Sequence, residues 1–226
     1  MLKGQGGDLV GFADVADLHL DMTDGFPKAV SIAVRLDPSV VSEISNGPTR
    51  HYYKEYLRVN ELLGILCRQI VALLTTYGRK AKAIKATTGK FDAHTLSMPV
   101  QHKTIATRAG LGWIGKSALL ITEEYGSAVR LGSVLTDAVF ETDEPINTSR
   151  CGDCHKCVDC CPSGAIAGGN WTVGIPRNSI YDAFKCRKTA MNLSMQQGIN
   201  STICGICINA CPWTQKYISR ELGASR

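Results

Sequence analysis

The chain has 226 residues, 44% of them hydrophobic, with 25 Lys+Arg against 20 Asp+Glu and a formal net charge of +5. Such apolar content at so modest a charge excludes a disordered polyelectrolyte, and 22 Gly with 8 Pro excludes a collagen-like or low-complexity chain. No apolar run approaches the ~20 residues that cross a bilayer, and the Gly-rich, polar start has no leader pattern, so the sequence predicts a soluble, cytoplasmic globular protein that does not meet a membrane.

In chain order, residues 8–13 (DLVGFA) and 29–36 (AVSIAVRL) are short, Val/Ile-rich and bounded by Gly, Pro or Asp, the signature of strands. From 49 to 77 the apolar positions Tyr52, Tyr56, Val59, Leu63, Leu66, Ile70, Leu74 and Tyr77 recur at helical spacing, with Gly47 and Pro48 before and Gly78 after. Cys67 lies within that helix and reads as a small buried hydrophobe. Residues 81–86 suggest a strand and 102–109 a helix. Residues 119–122 and 127–136 read as two strands joined by a turn around Gly126. The segment 141–148, with Asp143, Glu144, Pro145 and Asn147, has linker composition and divides the chain into 1–145 and 146–226.

The cysteines are distributed unevenly across that division. Only Cys67 precedes residue 150, whereas Cys151, Cys154, Cys157, Cys160, Cys161, Cys186, Cys204, Cys207 and Cys211 follow it. In a reducing cytosol such a cluster points to metal ligands rather than disulfides. Residues 151–162 contain C-x2-C-x2-C-x3-C-P, the run of two-cluster bacterial ferredoxins, and Cys204, Cys207 and Cys211-Pro212 repeat its C-x2-C-x3-C-P end with Cys186 displaced upstream. In that arrangement the fourth cysteine of each run ligates the opposite cluster. One 4Fe-4S cluster is therefore expected on Cys151, Cys154, Cys157 and Cys211, and the other on Cys161, Cys186, Cys204 and Cys207. Cys160, which lacks the following proline, is left as a spare. A zinc ribbon built from the Cys151/Cys154 and Cys204/Cys207 knuckles is the competing pattern, and it leaves Cys157, Cys161, Cys186, Cys211 and both prolines unused. Charge agrees with the clusters: residues 151–226 carry 8 Lys+Arg against 4 Asp+Glu, an excess that would offset two cubanes of about −2 each.

Gly110-Leu-Gly112-Trp-Ile-Gly115-Lys116-Ser117 satisfies both G-x-G-x-x-G and G-x4-G-K-S. Those nucleotide motifs need a strand before the glycines and a helix after them, because phosphate sits on the helix N-terminus. Here the order is helix then strand. The segment therefore reads as a turn whose glycines let a bulky planar ligand approach the backbone.

The succession from Ala106 through Gly110 to Lys116, then Tyr125-Gly126-Ser127, Leu131-Gly132, Leu135-Thr136-Asp137, Cys151 to Ile166, and Cys211-Pro212-Trp213 resembles epoxyqueuosine reductase and its shorter relatives. The resemblance implies an α+β chain, with an N-terminal α/β cobalamin-binding-like domain (1–145) followed by a ferredoxin-like double 4Fe-4S domain (146–226). It also implies clusters that reduce base-off cobalamin to the Co(I) level, with flavin as the less favoured planar cofactor. The cofactor would be held by Arg108, Gly110, Gly112, Trp113, Gly115, Lys116, Ser117, Gly126 and Ser127, with Trp113 stacked on the macrocycle. Where the family carries an acidic proton donor, three residues before the proline matching Pro99, this chain has Leu96. His102 becomes the candidate donor, followed by His94, Tyr125 and Asp92. The family continues into a C-terminal helical-repeat domain and begins with a helix before the first strand; with 226 residues, seven of them before the first predicted strand, the expectation is a short form of that family.

The expected function is thus a cobalamin-dependent reductase of a small substrate, not of tRNA. It would draw electrons from a low-potential donor such as ferredoxin or flavodoxin. The alternative is an electron-transfer activator that reduces a corrinoid or flavin on a partner protein.

Overall fold

The computed structural model describes residues 3–84, 92–98 and 100–223. The end of the predicted strand at 85–86 and Pro99, the reference point for Leu96, lie outside the described residues. After a 3-10 turn (Lys3–Gln5) come β1 (Leu9–Asp14), α1 (Leu20–Thr23), β2 (Lys28–Arg35), α2 (Pro38–Ser42), α3 (Arg50–Thr76) and β3 (Ala81–Ala83). Then follow α4 (His102–Arg108), β4 (Trp113–Ile114), β5 (Leu120–Ile121) and β6 (Val129–Thr136). The cysteine-rich part contributes α5 (Lys156–Asp159), α6 (Arg177–Ile180), α7 (Ala183–Gln196), α8 (Ile206–Asn209) and α9 (Pro212–Gly223).

Two compact units result, and they are not consecutive in the chain. The first takes Met1–Val34, Val59–Gly112 and Arg130–Asn147; the second takes Arg35–Arg58, Trp113–Val129 and Thr148–Arg226. The predicted division at 145/146 falls close to the start of the last segment. What it does not capture is that two earlier segments pack with the cysteines.

The first unit is organised on a four-stranded sheet in the order β1-β2-β6-β3. β1 pairs antiparallel with β2 in the register Leu9↔Ala33 to Asp14↔Lys28, and β3 pairs antiparallel with β6 through Ala81↔Thr136. Residues 29–34 of the central strand β2 are all buried, which is why the segment reads as a continuous apolar run. β1 alternates in burial over its second half, as an edge strand with one covered face does. Along its edge, the Phe12 amide donates to Asp143 Oδ2 at 2.7 Å and the Asp143 amide to the Phe12 carbonyl at 2.8 Å. The segment read as a linker therefore covers an open strand edge. A core of Ala13, Val15, Ala29, Val100, Ile105, Ala109 and Leu135 fills this unit.

α3 follows its sequence pattern to within a residue at each end. Thr49 Oγ1 accepts from the Tyr52 amide at 3.0 Å to start it. It ends where Gly78 at φ 71 takes a left-handed turn and the Arg79 amide reaches back to the Leu74 carbonyl at 3.0 Å. Val59, Leu63, Leu66, Cys67 and Ile70 are buried along one face. Cys67 Sγ sits over Gly132, where a Cβ would come within 2.8 Å of it, so the cysteine is packing as expected.

The two strands that the sequence joins by a turn at Gly126 belong to different sheets. β5 pairs with β4 through Trp113↔Ile121 and Ile114↔Leu120, while β6 lies in the four-stranded sheet. A two-residue strand has too few side chains to declare its partner by periodicity.

Candidate functional site: two groups of four thiols

All ten cysteines are free thiols, and nine of them lie in the second unit. In the first run a tight turn, with the Cys154 amide on the Cys151 carbonyl at 3.1 Å, leads into α5, which carries Cys157. In the second run Gly205, at φ 87, opens α8, which carries Cys207, and Pro212 occupies the first position of α9 directly after Cys211. Proline is at home there because a first-turn amide has no helical acceptor to lose. α5 packs on α8, so the two runs face one another. Cys186 comes from the first turn of α7, whose N-cap Asp182 accepts from the Phe184 and Lys185 amides at 3.0 Å each.

Cys151, Cys154, Cys157 and Cys211 line one cavity, together with Ser117, Ile121, Pro212 and Trp213. Burial, then the neighbouring Cys151, Cys211, Cys154 and Cys160, pushes the Cys157 thiol up to about 11. The remaining cysteines act on one another. Burial raises Cys204 against the hydrogen bond from the Ile206 amide, and Cys186, Cys161 and Cys160 raise it further. Cys207 is driven well above its ordinary value by burial and then by Cys204, Cys186, Cys157 and Cys161. Cys161 alone is lowered: burial opposes ionisation, but hydrogen bonds from Ser163 and from the amides around Ala165 and Ile166 outweigh it. Thiols that suppress one another's ionisation need a bound cation to become thiolates together. Among the described residues no three His, Cys, Asp or Glu side chains converge on a single ion. An iron–sulfur cubane does not require that convergence, because each of its four thiolates binds a different iron. The donor set fits such a group. Cys160, at the C-terminal end of α5, bonds weakly to the Cys157 carbonyl at 3.7 Å.

The glycine segment supports this site. The chain runs from α4 through Gly110 into β4, the helix-to-strand order that excludes a phosphate loop. A Cβ on Gly115 would meet Ile121 Cδ1 at 2.3 Å and stand 3.4 Å from Cys151 Sγ. Ser117 is part of the cavity wall, and Lys116 between them is only 2% exposed. Among the described residues no carboxylate pairs with Lys116. Trp113 is fully enclosed, with its ring 5.1 Å edge-on to Trp213, the Arg150 guanidinium 5.4 Å over it, and its Nε1 without an acceptor. That makes Trp113 a support for the cysteine cavity and corrects its reading as an open stacking platform.

The other residues expected to hold a planar cofactor are already engaged. Arg108 forms a two-pronged ion pair with Asp17 at 2.6 and 2.8 Å and donates to the Asp14 carbonyl at 3.1 Å. Its guanidinium bond holds the Asp17 carboxyl below the ordinary carboxylate range. Gly110, at φ 65, is required by the protein's own backbone, since a Cβ would stand 2.9 Å from the Glu144 carbonyl. Gly112 is buried. At Gly126, φ 58, a Cβ would lie 2.2 Å from the Thr214 amide, and the Ser127 amide donates to Thr214 Oγ1 at 3.0 Å. Gly126 and Ser127 therefore seat the start of α9, the helix that follows Cys211. Arg108, Gly110, Gly126 and Ser127 are thus engaged within the protein itself.

Of the proton-donor candidates, His102 opens α4 and its Nδ1 lies 3.0 Å from Ser133 Oγ. His94 and Asp92 are exposed, in a turn closed by Leu96 at φ 50. The His94 amide, then the Thr95 hydroxyl, lowers the Asp92 carboxyl, the wrong direction for a donor. Tyr125 packs edge-on to Tyr217 at 5.2 Å under the Arg35 and Arg220 guanidinium groups. One neighbour was missed in the sequence: the Tyr181 hydroxyl bonds to Cys186, and burial followed by the Cys186 and Cys207 charges raises the phenol. Nothing in its spacing from Cys186 marks it.

Residues 150–214 match the 4Fe-4S double cluster binding domain. The chain is 29% identical over 203 residues to an epoxyqueuosine reductase of Pseudomonas aeruginosa, covering 89% of this chain and 51% of that protein. It is 33% identical over 121 residues to one from Synechocystis, covering 53% of this chain and 41% of that protein. The chain thus spans about half the length, or less, of the curated relatives it matches. Among solved structures, a catabolic reductive dehalogenase in complex with 3-bromo-4-hydroxybenzoic acid superposes with a TM-score of 0.71 at 18% identity, over 94% of this chain and 31% of that one. The epoxyqueuosine reductase of Streptococcus thermophilus gives 0.60 at 22%, over 95% and 64%. The chain therefore carries a 4Fe-4S double cluster binding domain, is similar in sequence to epoxyqueuosine reductases, and shares the fold of those enzymes and of a reductive dehalogenase.

Proposed function

We propose that the chain is an iron–sulfur redox protein with two 4Fe-4S clusters, working as a cobamide-dependent reductase related to epoxyqueuosine reductase. One cluster is held by Cys151, Cys154, Cys157 and Cys211, the other by Cys161, Cys186, Cys204 and Cys207. The observation that carries this reading is the gathering of the first four around one cavity, with the second four in mutual electrostatic reach. When bound, the clusters supply single low-potential electrons and a cobamide supplies the cobalt centre at which a substrate is reduced. The chain's own residues gather the first four thiols into one cavity with Ile121, Pro212 and Trp213, and the buried Lys116 directly precedes Ser117, which lines that cavity.

Support for a cobamide comes from the similarity to epoxyqueuosine reductases and from a related reductive dehalogenase structure whose mechanism is described as B12-dependent. The internal use of Arg108, Gly110, Gly126 and Ser127 favours a second reading, an activator that reduces a corrinoid on a partner. Anaerobic reconstitution followed by cobalamin addition separates the two. The first predicts about eight iron and eight sulfide per chain and a base-off cobalamin spectrum; the second predicts the same clusters with no spectral change. An epoxyqueuosine-modified tRNA stem loop, present in one solved relative, is the first substrate to offer, and the expectation that tRNA is not acted on gains no support from the relatives.

A further inference from the structure

α7 brings Cys186 to the site from its inner face, where Ala190 and Ser194 are buried and the Ser194 hydroxyl donates to the Ile203 carbonyl at 2.8 Å. Its outer face is different. Phe184, Met191 and Met195 are 53%, 38% and 65% exposed, and with Lys188 they fall at the i, i+4, i+7, i+11 spacing of a single stripe. Lys185 and Arg187 flank it, both exposed, and the helix carries no carboxylate. Lys185 stands 3.8 Å from Asp182 just before the helix. Three exposed apolar side chains in line, two of them adaptable methionines, together with three cations, describe a small contact surface with a defined charge.

We propose that the outer face of α7 docks an acidic one-electron carrier protein of the ferredoxin or flavodoxin class, which reduces the cluster on Cys161, Cys186, Cys204 and Cys207. This rests on the two-cluster reading above. A carrier seated on the stripe is separated from the Cys186 thiolate by no more than one helix, about 10–12 Å across. Electron-transfer encounters are small and short-lived, so opposite charge contributes mainly to the rate of arrival, and a few exposed apolar contacts suffice to orient the partner. Charge complementarity selects the occupant: α7 bears Lys185, Arg187 and Lys188, all exposed, and no carboxylate. In each encounter one electron leaves the reduced carrier and enters the cluster, and no bond forms or breaks.

The test uses the full reconstituted chain and a reduced acidic ferredoxin, with cluster bleaching followed by stopped flow and dithionite as the small-molecule control. Arg187→Glu/Lys188→Glu is expected to slow carrier-driven reduction about tenfold or more at low salt and to flatten its salt dependence. Iron content, and the dithionite rate to within about twofold, should not change, and Phe184→Ser should give a smaller loss without altering the salt slope. The proposal is overturned if the charge reversal leaves the carrier rate intact, if it slows dithionite equally, or if it instead abolishes binding of an RNA stem loop. Absence of iron and sulfide from the wild-type protein would be a failure of the two-cluster reading, recognisable before any rate is measured.

Discussion

Lys116 is buried, and its neighbours in the chain are a glycine whose Cβ position would be 3.4 Å from Cys151 Sγ and a serine that lines the cysteine cavity. A buried ammonium without a carboxylate is costly unless an anion is supplied, and a cubane bearing four thiolates is such an anion. Lys116→Gln removes positive charge that favours the reduced cluster. An EPR-monitored titration should find one cluster potential lower by on the order of 50 mV with the other nearly unmoved; an unchanged pair would remove Lys116 from this role. Two glycines test the same wall. At Gly126 an added Cβ meets a backbone amide at 2.2 Å, whereas at Gly115 the nearest atom is the end of a flexible isoleucine at 2.3 Å. Gly126→Ala should therefore cost about 2–3 kcal/mol or more in denaturant unfolding and lower iron retention, with Gly115→Ala the milder change. These positions also mark a limit of reading residues alone. A run of glycines says that something approaches the backbone, and Thr214, Glu144 and Ile121 do so here. Arg108 is the same case, since its partner Asp17 lies 91 residues away in the chain.

At the scale of elements, legibility follows length. α3 spans 27 residues, so its apolar positions repeat often enough to fix both the helix and its buried face, and Cys67 takes its place on that face. α5, α6 and α8 have four residues each, too short for any periodicity, and only the cysteine spacing marked two of them. The ligand spacing was informative because a cubane sets its own geometry, whereas the pairing of β5 depends on contacts that no local pattern encodes. The two classes of cysteine give a measurement. Burial pushes the Cys67 thiol up to about 11, outweighing the opposing effects of the Ser133 hydrogen bond and Arg68. In native, cluster-loaded protein at pH 8, iodoacetamide should leave Cys67 unlabelled, with alkylation setting in about two pH units above that of a free cysteine. Labelling at pH 8 without prior unfolding would show that the helix face opens far more readily than its packing implies.

For the whole molecule, the point at issue is where a functional part begins. The sequence divides cleanly at 145/146, because nine of the ten cysteines and the surplus of positive charge follow it. The second unit is nevertheless assembled from three segments, and the earlier two hold the cysteine-bearing helices directly. The Asn209 side chain, at the end of α8, donates to the Ile44 carbonyl at 2.6 Å, and a Cβ on Gly205 would meet Ile44 and Tyr52 at 2.8 and 3.1 Å. The Tyr217 hydroxyl of α9 donates to the Leu36 carbonyl at 2.9 Å, and Thr214 receives the Ser127 amide. Metal binding is coupled to folding, so whatever weakens these supports weakens cluster affinity by the same free energy. A fragment of residues 146–226 keeps all eight proposed ligands but loses Leu36, Ile44, Tyr52, Trp113, Ile121 and Ser127. Reconstituted in parallel with the full chain, it should retain less iron, lose it faster to a chelator, and show little near-ultraviolet circular dichroism. Equal retention by the fragment would mean that the two runs of cysteines fold around their clusters unaided, and that the earlier segments only cover them.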